Sequence, residues 1–210
     1  MASAFVASAS AQCTELFISE YVEGTHNNKA LEIYNPTSSS IDLSEYFITR
    51  FSNGSNTAKV ENSIQLSGTI AAYDVYVATL DKQNPSGTGQ DTIIFDELRD
   101  VTDGYYCPDY NTSNAFYFNG NDAVVLYKGT LSANGDDDVS TLGATVIDIF
   151  GKIGEDPGVA WTTDFPHNSG VGTYLTKDHS LIRKSSVETG VVSPVISFFN
   201  ALDQWDSIPP

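Results

Sequence analysis

Apolar and polar residues alternate with a period of two along most of the chain, the pattern of strands that bury one face. Strands are predicted at Leu16–Tyr21, Ala30–Tyr34, Tyr46–Phe51, Ser63–Leu66, Val75–Leu80 and Thr92–Phe95. Five more follow at Ala115–Phe118, Ala123–Tyr127, Thr145–Phe150, Ser180–Lys184 and Val195–Phe199. Turn formers punctuate them. Asn35-Pro36 ends one strand sharply, because proline lacks the amide proton a ladder needs. Asn53-Gly54 and Asn119-Gly120-Asn121-Asp122 mark two tight turns. Ile41 and Leu43, two apart, suit one shared core. No window carries an apolar stripe of helical period and length; Asp96–Val101 has room for one helical turn. About ten short strands between turn signals indicate an all-β sandwich or barrel. Segments 82–91 and 103–114 look like loops that decorate it.

Composition agrees with a folded β-protein: 40% of the 210 residues are hydrophobic and 11% aromatic. Charge narrows the partners. The formal net charge is −17, with 10 Lys+Arg against 27 Asp+Glu. Clustered cations hold phosphates, so nucleic-acid binding and docking on an anionic membrane are both disfavoured. A cationic ligand, a divalent ion or a neutral polymer stays compatible, and acidity also keeps an exported protein soluble. No apolar run is long enough for a membrane-spanning helix. Residues 1–12 are small and apolar and contain Ala9-Ser10-Ala11, a pattern that suits the remnant of an export signal or a tag. Residues 13–210 then form a single elaborated domain. Cys13 and Cys107 suit one disulfide in an exported protein, or two thiols in a cytosolic one. Closing that loop would be worth about 4–5 kcal/mol in the chain-entropy model.

Candidate chemistry is sparse. Glu20 and Glu32 fall in neighbouring predicted strands, where two close carboxylates can split their titration and do acid–base work, or stand as solvated side chains. Asp136-Asp137-Asp138 offers oxygens to calcium, without the alternate spacing of a calcium loop. His26, His167 and His179 stand apart in sequence, with no metal-binding pair. Asp178-His179-Ser180 holds the residue types of a triad, but consecutive strand residues face opposite ways and cannot relay a proton among themselves. The loop Gly154-Glu155-Asp156-Pro157-Gly158 has acids that would repel phosphate. Trp161, Trp205 and the eleven Tyr could supply a sugar-stacking surface or serve as core.

Several blocks, in order, resemble the lamin-tail domain. The first is Leu16-Phe17-Ile18-Ser19-Glu20-Tyr21-Val22-Glu23-Gly24 followed by Asn28 through Pro36, then Ile41-Asp42-Leu43-Ser44 to Tyr46. Later blocks are Asn119–Leu126, Val146–Gly151, Asp156–Trp161 and Asp178–Lys184, similar to the bacterial, secreted branch of the family. The resemblance implies an immunoglobulin-like β-sandwich with long loop insertions around 82–114 and 129–143. It marks Glu20, Glu32, Asn35, Pro36, Gly120, Asp122, Gly151 and Arg183 as structural motif residues, with Gly120 and Gly151 in turns of positive φ. It implies no catalytic residue and no cofactor, calcium being the exception left open. The function implied is a non-catalytic interaction or structural module of an exported bacterial surface or secreted protein, binding a protein or polysaccharide. The alternative is an accessory domain of a secreted hydrolase such as a nuclease or phosphatase.

Overall fold

The structure, a computed structural model, describes residues 14–167, 172–193 and 197–210. Period-two alternation becomes twelve strands among the described residues. They are β1 (Phe17–Glu23), β2 (Lys29–Tyr34), β3 (Ile41–Asp42), β4 (Tyr46–Phe51), β5 (Ser63–Gln65) and β6 (Thr69–Ile70). Then come β7 (Val75–Leu80), β8 (Gly104–Tyr106), β9 (Ala123–Lys128), β10 (Thr145–Phe150), β11 (His179–Arg183) and β12 (Trp205–Ile208). One helical turn, α1 (Asp96–Val101), stands where the sequence left room for it.

Six strands pair in the order β12-β11-β1-β2-β7-β8, four in the order β10-β9-β4-β5, and β3 with β6. All pairs are antiparallel except β7 with β8. This is the expected immunoglobulin-like sandwich. On the six-stranded sheet Leu181, Tyr21, Leu31 and Ala78 share one inward row. The opposing sheet contributes Ile48, Val124, Leu126 and Phe150. Tyr21 stacks on Phe150 with ring centroids 3.9 Å apart, which ties the layers together. Trp161, Phe199 and Trp205 meet Phe150 edge-on, the geometry aromatic quadrupoles favour.

Some predicted strands are not strands. Ala115–Phe118 is a turn whose Phe116 and Phe118 plug the core against Tyr106 and Tyr21. Thr92–Phe95 is irregular because side chains take its backbone groups: Asn27 Nδ2 donates to the Thr92 carbonyl and Phe95 N–H donates to Asn28 Oδ1. The strand expected at Val195–Phe199 falls partly on 194–196, outside the described residues, and Ser197 to Phe199 is irregular. The short strands β3, β6 and β8 and the strand β12 have no clear sequence signal.

The loops close the sheet edges. Asn114 N–H donates to the Glu61 carbonyl and Ser113 Oγ to the Ser63 carbonyl, so segment 109–118 covers β5. Segment 187–191 lies along β10, with Val191 N–H donating to Asp148 Oδ1 at 2.7 Å. Gly190 fits there because a Cβ would come within 2.3 Å of the Ile147 carbonyl oxygen.

Candidate functional site

Of the motif residues, Asn35, Gly120, Asp122, Gly151 and Arg183 build loops or join layers. Asn35 is fully buried; its Nδ2 donates to the carbonyls of Ser39 and Ala71, and its Oδ1 accepts from Thr37. It thereby holds the turn that Pro36 begins. Gly151 has φ +84, and a Cβ there would sit 2.6 Å from the Trp161 ring. Gly120 departs from expectation. Its φ is not positive; it is glycine because the Lys177 backbone passes 2.7 Å from where a Cβ would be. Asp122 is buried and accepts from the N–H groups of Asn53 and Asn119, with the Arg50 guanidinium 3.6 Å away.

A fully buried polar contact joins the two sheets. Asp148 of β10 is inaccessible to solvent. Its carboxylate accepts from Ile18, Ile149 and Val191 N–H and from Arg183 Nη2 at 2.9 Å. A bulge in β1 at Ser19 and another in β10 at Ile147 bring these groups together. The Arg183 guanidinium carbon lies over the Trp205 ring, 4.4 Å from its centroid. The sequence marks Arg183 as a motif residue but not its partner Asp148, because a lone acid in a strand gives no hint that it will be buried.

The other candidates are scattered. Asp136 pairs with Lys59, Asp137 accepts from Ser132 and Asn134, and Asp138 caps the turn at Ser140. No group of three His, Cys, Asp or Glu side chains with metal-binding geometry occurs among the described residues. His26 is exposed, while His167 is buried, accepting from Thr162 N–H at Nδ1 and donating from Nε2 to the Phe199 carbonyl. Asp178 pairs with Lys177 and His179 donates to the Lys177 carbonyl, so neither relays to Ser180. Trp161 and Trp205 are core residues. Cys13 lies outside the described residues. Cys107 is buried and forms no disulfide among the described residues; its Sγ lies 3.2 Å from Ser113 Oγ, and burial pushes its thiol pKa up.

The outer face of the six-stranded sheet is different. One row across it runs Thr79, Ala30, Val22, Ser180, Ile208. Short side chains make this row a trough. At one end Ala30 and Thr79 are buried, and Thr102, just past α1, bonds the Thr79 hydroxyl. The open remainder is a groove of about 400 Å³. Glu20, Val22 and Ser180 lie on its floor, with Phe95, Leu98 and Val101 on one side and Ile208 on the other. In the next row Glu20 directly faces Glu32. Burial and then the Glu32 carboxylate push Glu20 above the usual carboxylate range, against a bond from Ser180; Ser19 Oγ donates to Glu32. The predicted carboxylate pair is therefore real, but it lies open on a sheet face.

The sequence pattern described as Lamin Tail Domain matches residues 9–145, more than half of the chain. The chain belongs to the lamin tail domain family. These domains are immunoglobulin-like and non-catalytic. No curated protein and no solved structure gives a significant match. The matched stretch of this lamin tail domain ends as β10 begins, yet β11 and β12 complete the sheet that starts with β1. Among the described residues no helix is long and apolar enough to cross a membrane.

Proposed function

We propose that this lamin tail domain is a non-catalytic interaction module of an exported bacterial surface or secreted protein, and that it binds a protein or polysaccharide through the outer face of its six-stranded sheet. One contrast carries the reading. The reactive-looking side chains inside the fold are engaged in holding loops and layers, whereas the groove beside α1 presents Phe95, Val101 and Ile208 to solvent. Exposed apolar side chains gathered in one concavity are the usual mark of a recognition surface.

The acidic composition suits a soluble exported protein as it does any soluble one, and a Cys13–Cys107 bond goes with the export part of the proposal. Unreduced mass spectrometry should find the bond; two free thiols would remove that support. The binding role is tested on peptide and glycan arrays with the intact chain and a Val22→Lys variant that fills the groove. Binding by the parent and loss in the variant is the expected result. Turnover of esters, phosphodiesters or glycans by the purified chain would overturn it.

A further inference from the structure

We propose that the groove between α1 and the end of β12 receives a positively charged peptide segment of a partner protein, one that sets Lys or Arg beside an aliphatic residue. This rests on reading the chain as an interaction module and names its ligand. The lining mixes two chemistries. Phe95, Val101 and Ile208 are 57%, 58% and 46% exposed, a large apolar area for solvent to face. Glu20, Glu97 and Asp178 line the same groove, and no Lys or Arg does.

The rest of the molecule cannot supply the missing cation. All ten Lys and Arg side chains already meet an acid or, for Lys184, the Leu202 carbonyl. Asp178 shares Lys177, but neither Glu20 nor Glu97 lies in an ion pair among the described residues. Like charges directly opposite on a sheet repel, and Glu20 with Glu32 is such a pair. A ligand cation seated by Glu20 removes that repulsion, so charge complementarity selects the occupant. The net charge of −17 also steers a basic segment toward the surface. A neutral glycan is the weaker fit: it stacks on aromatic faces, and the lining holds no Tyr or Trp and a single Phe, Phe95.

The test is fluorescence anisotropy of the intact chain with a labelled peptide of alternating Lys and Leu at low ionic strength. Binding is expected, weakened about tenfold by the Glu20→Gln/Glu97→Gln pair, as for charges at a recognition site. The Glu45→Gln/Glu61→Gln pair removes the same charge from exposed positions outside the groove and should weaken binding less than about twofold. A Lys-Ser peptide should bind more weakly than Lys-Leu. Equal losses in both variant pairs, or equal binding of the two peptides, would reduce the site to diffuse charge and overturn the proposal. A glycan array on the same protein separates the two readings. Glycan capture without basic-peptide binding sinks this ligand and leaves the module standing, whereas hydrolysis of an array glycan sinks both.

Discussion

Replacing Asp148 by Asn keeps the side-chain shape and removes the charge. Arg183, itself buried, then has no counter-ion at the sheet interface. Breaking a buried pair in this way costs about 3–5 kcal/mol. The carboxamide oxygen accepts at most two of the three amides from Ile18, Ile149 and Val191. At least one buried N–H is orphaned, at about 1–3 kcal/mol more. Domains are stable by about 5–15 kcal/mol in total, so the expected loss of about 4 kcal/mol or more is a large share. For a chain of this size that lowers Tm by roughly 8–16 °C. Urea unfolding followed by tryptophan fluorescence reads it directly, since Trp161 and Trp205 are both buried and Arg183 lies over Trp205. The double variant Asp148→Leu/Arg183→Met, which removes both charges, should lose less than the two single changes combined. A Tm within about 2 °C of the parent for Asp148→Asn, or strict additivity in the cycle, would show that this pair does not clamp the sheets.

Glu20→Gln should stabilise the fold at pH 7 by up to about 1 kcal/mol, because it removes one of two facing like charges. The folded state binds a proton at Glu20 more tightly than the unfolded chain, so the parent gains stability as pH falls and the Gln advantage should fade; an advantage that grows in acid would contradict this. Gly151→Ala should cost about 1–3 kcal/mol, from positive φ and the collision with the Trp161 ring, read as a lower urea midpoint; a neutral result would mean the Phe150–Trp161 layer can shift. Millimolar calcium should leave Tm unchanged, because Asp136, Asp137 and Asp138 each bind a different protein group; a rise of several degrees would place a cation site there.

Most long strands were legible: β1, β2, β7 and β11 from alternation, and β4 and β9, buried on both faces, from short β-branched and aromatic runs between turn signals. Ala115–Phe118 misled because an apolar run fills a core equally well as a turn. The edge strand β12 was missed because only Trp205 of its four residues is buried, which leaves no pattern to read. The motif residues came from family resemblance, and the structure supplied their reasons: Asn35 ties a turn, Gly120 clears a passing backbone, and Arg183 needs Asp148. The groove was not legible at all. Val22, Leu98 and Ile208 come from three distant stretches, and only strand pairing brings them to one face.

Position 190 has a consequence for how copies of this chain behave together. The strap that Gly190 lets settle on β10 lies against the Ile147 carbonyl, held by the Val191 N–H bond to Asp148, and so shields the outer edge of that sheet. A larger residue at 190 would push the strap off β10 and bare an edge strand, the kind of surface through which copies of a β-protein can pair.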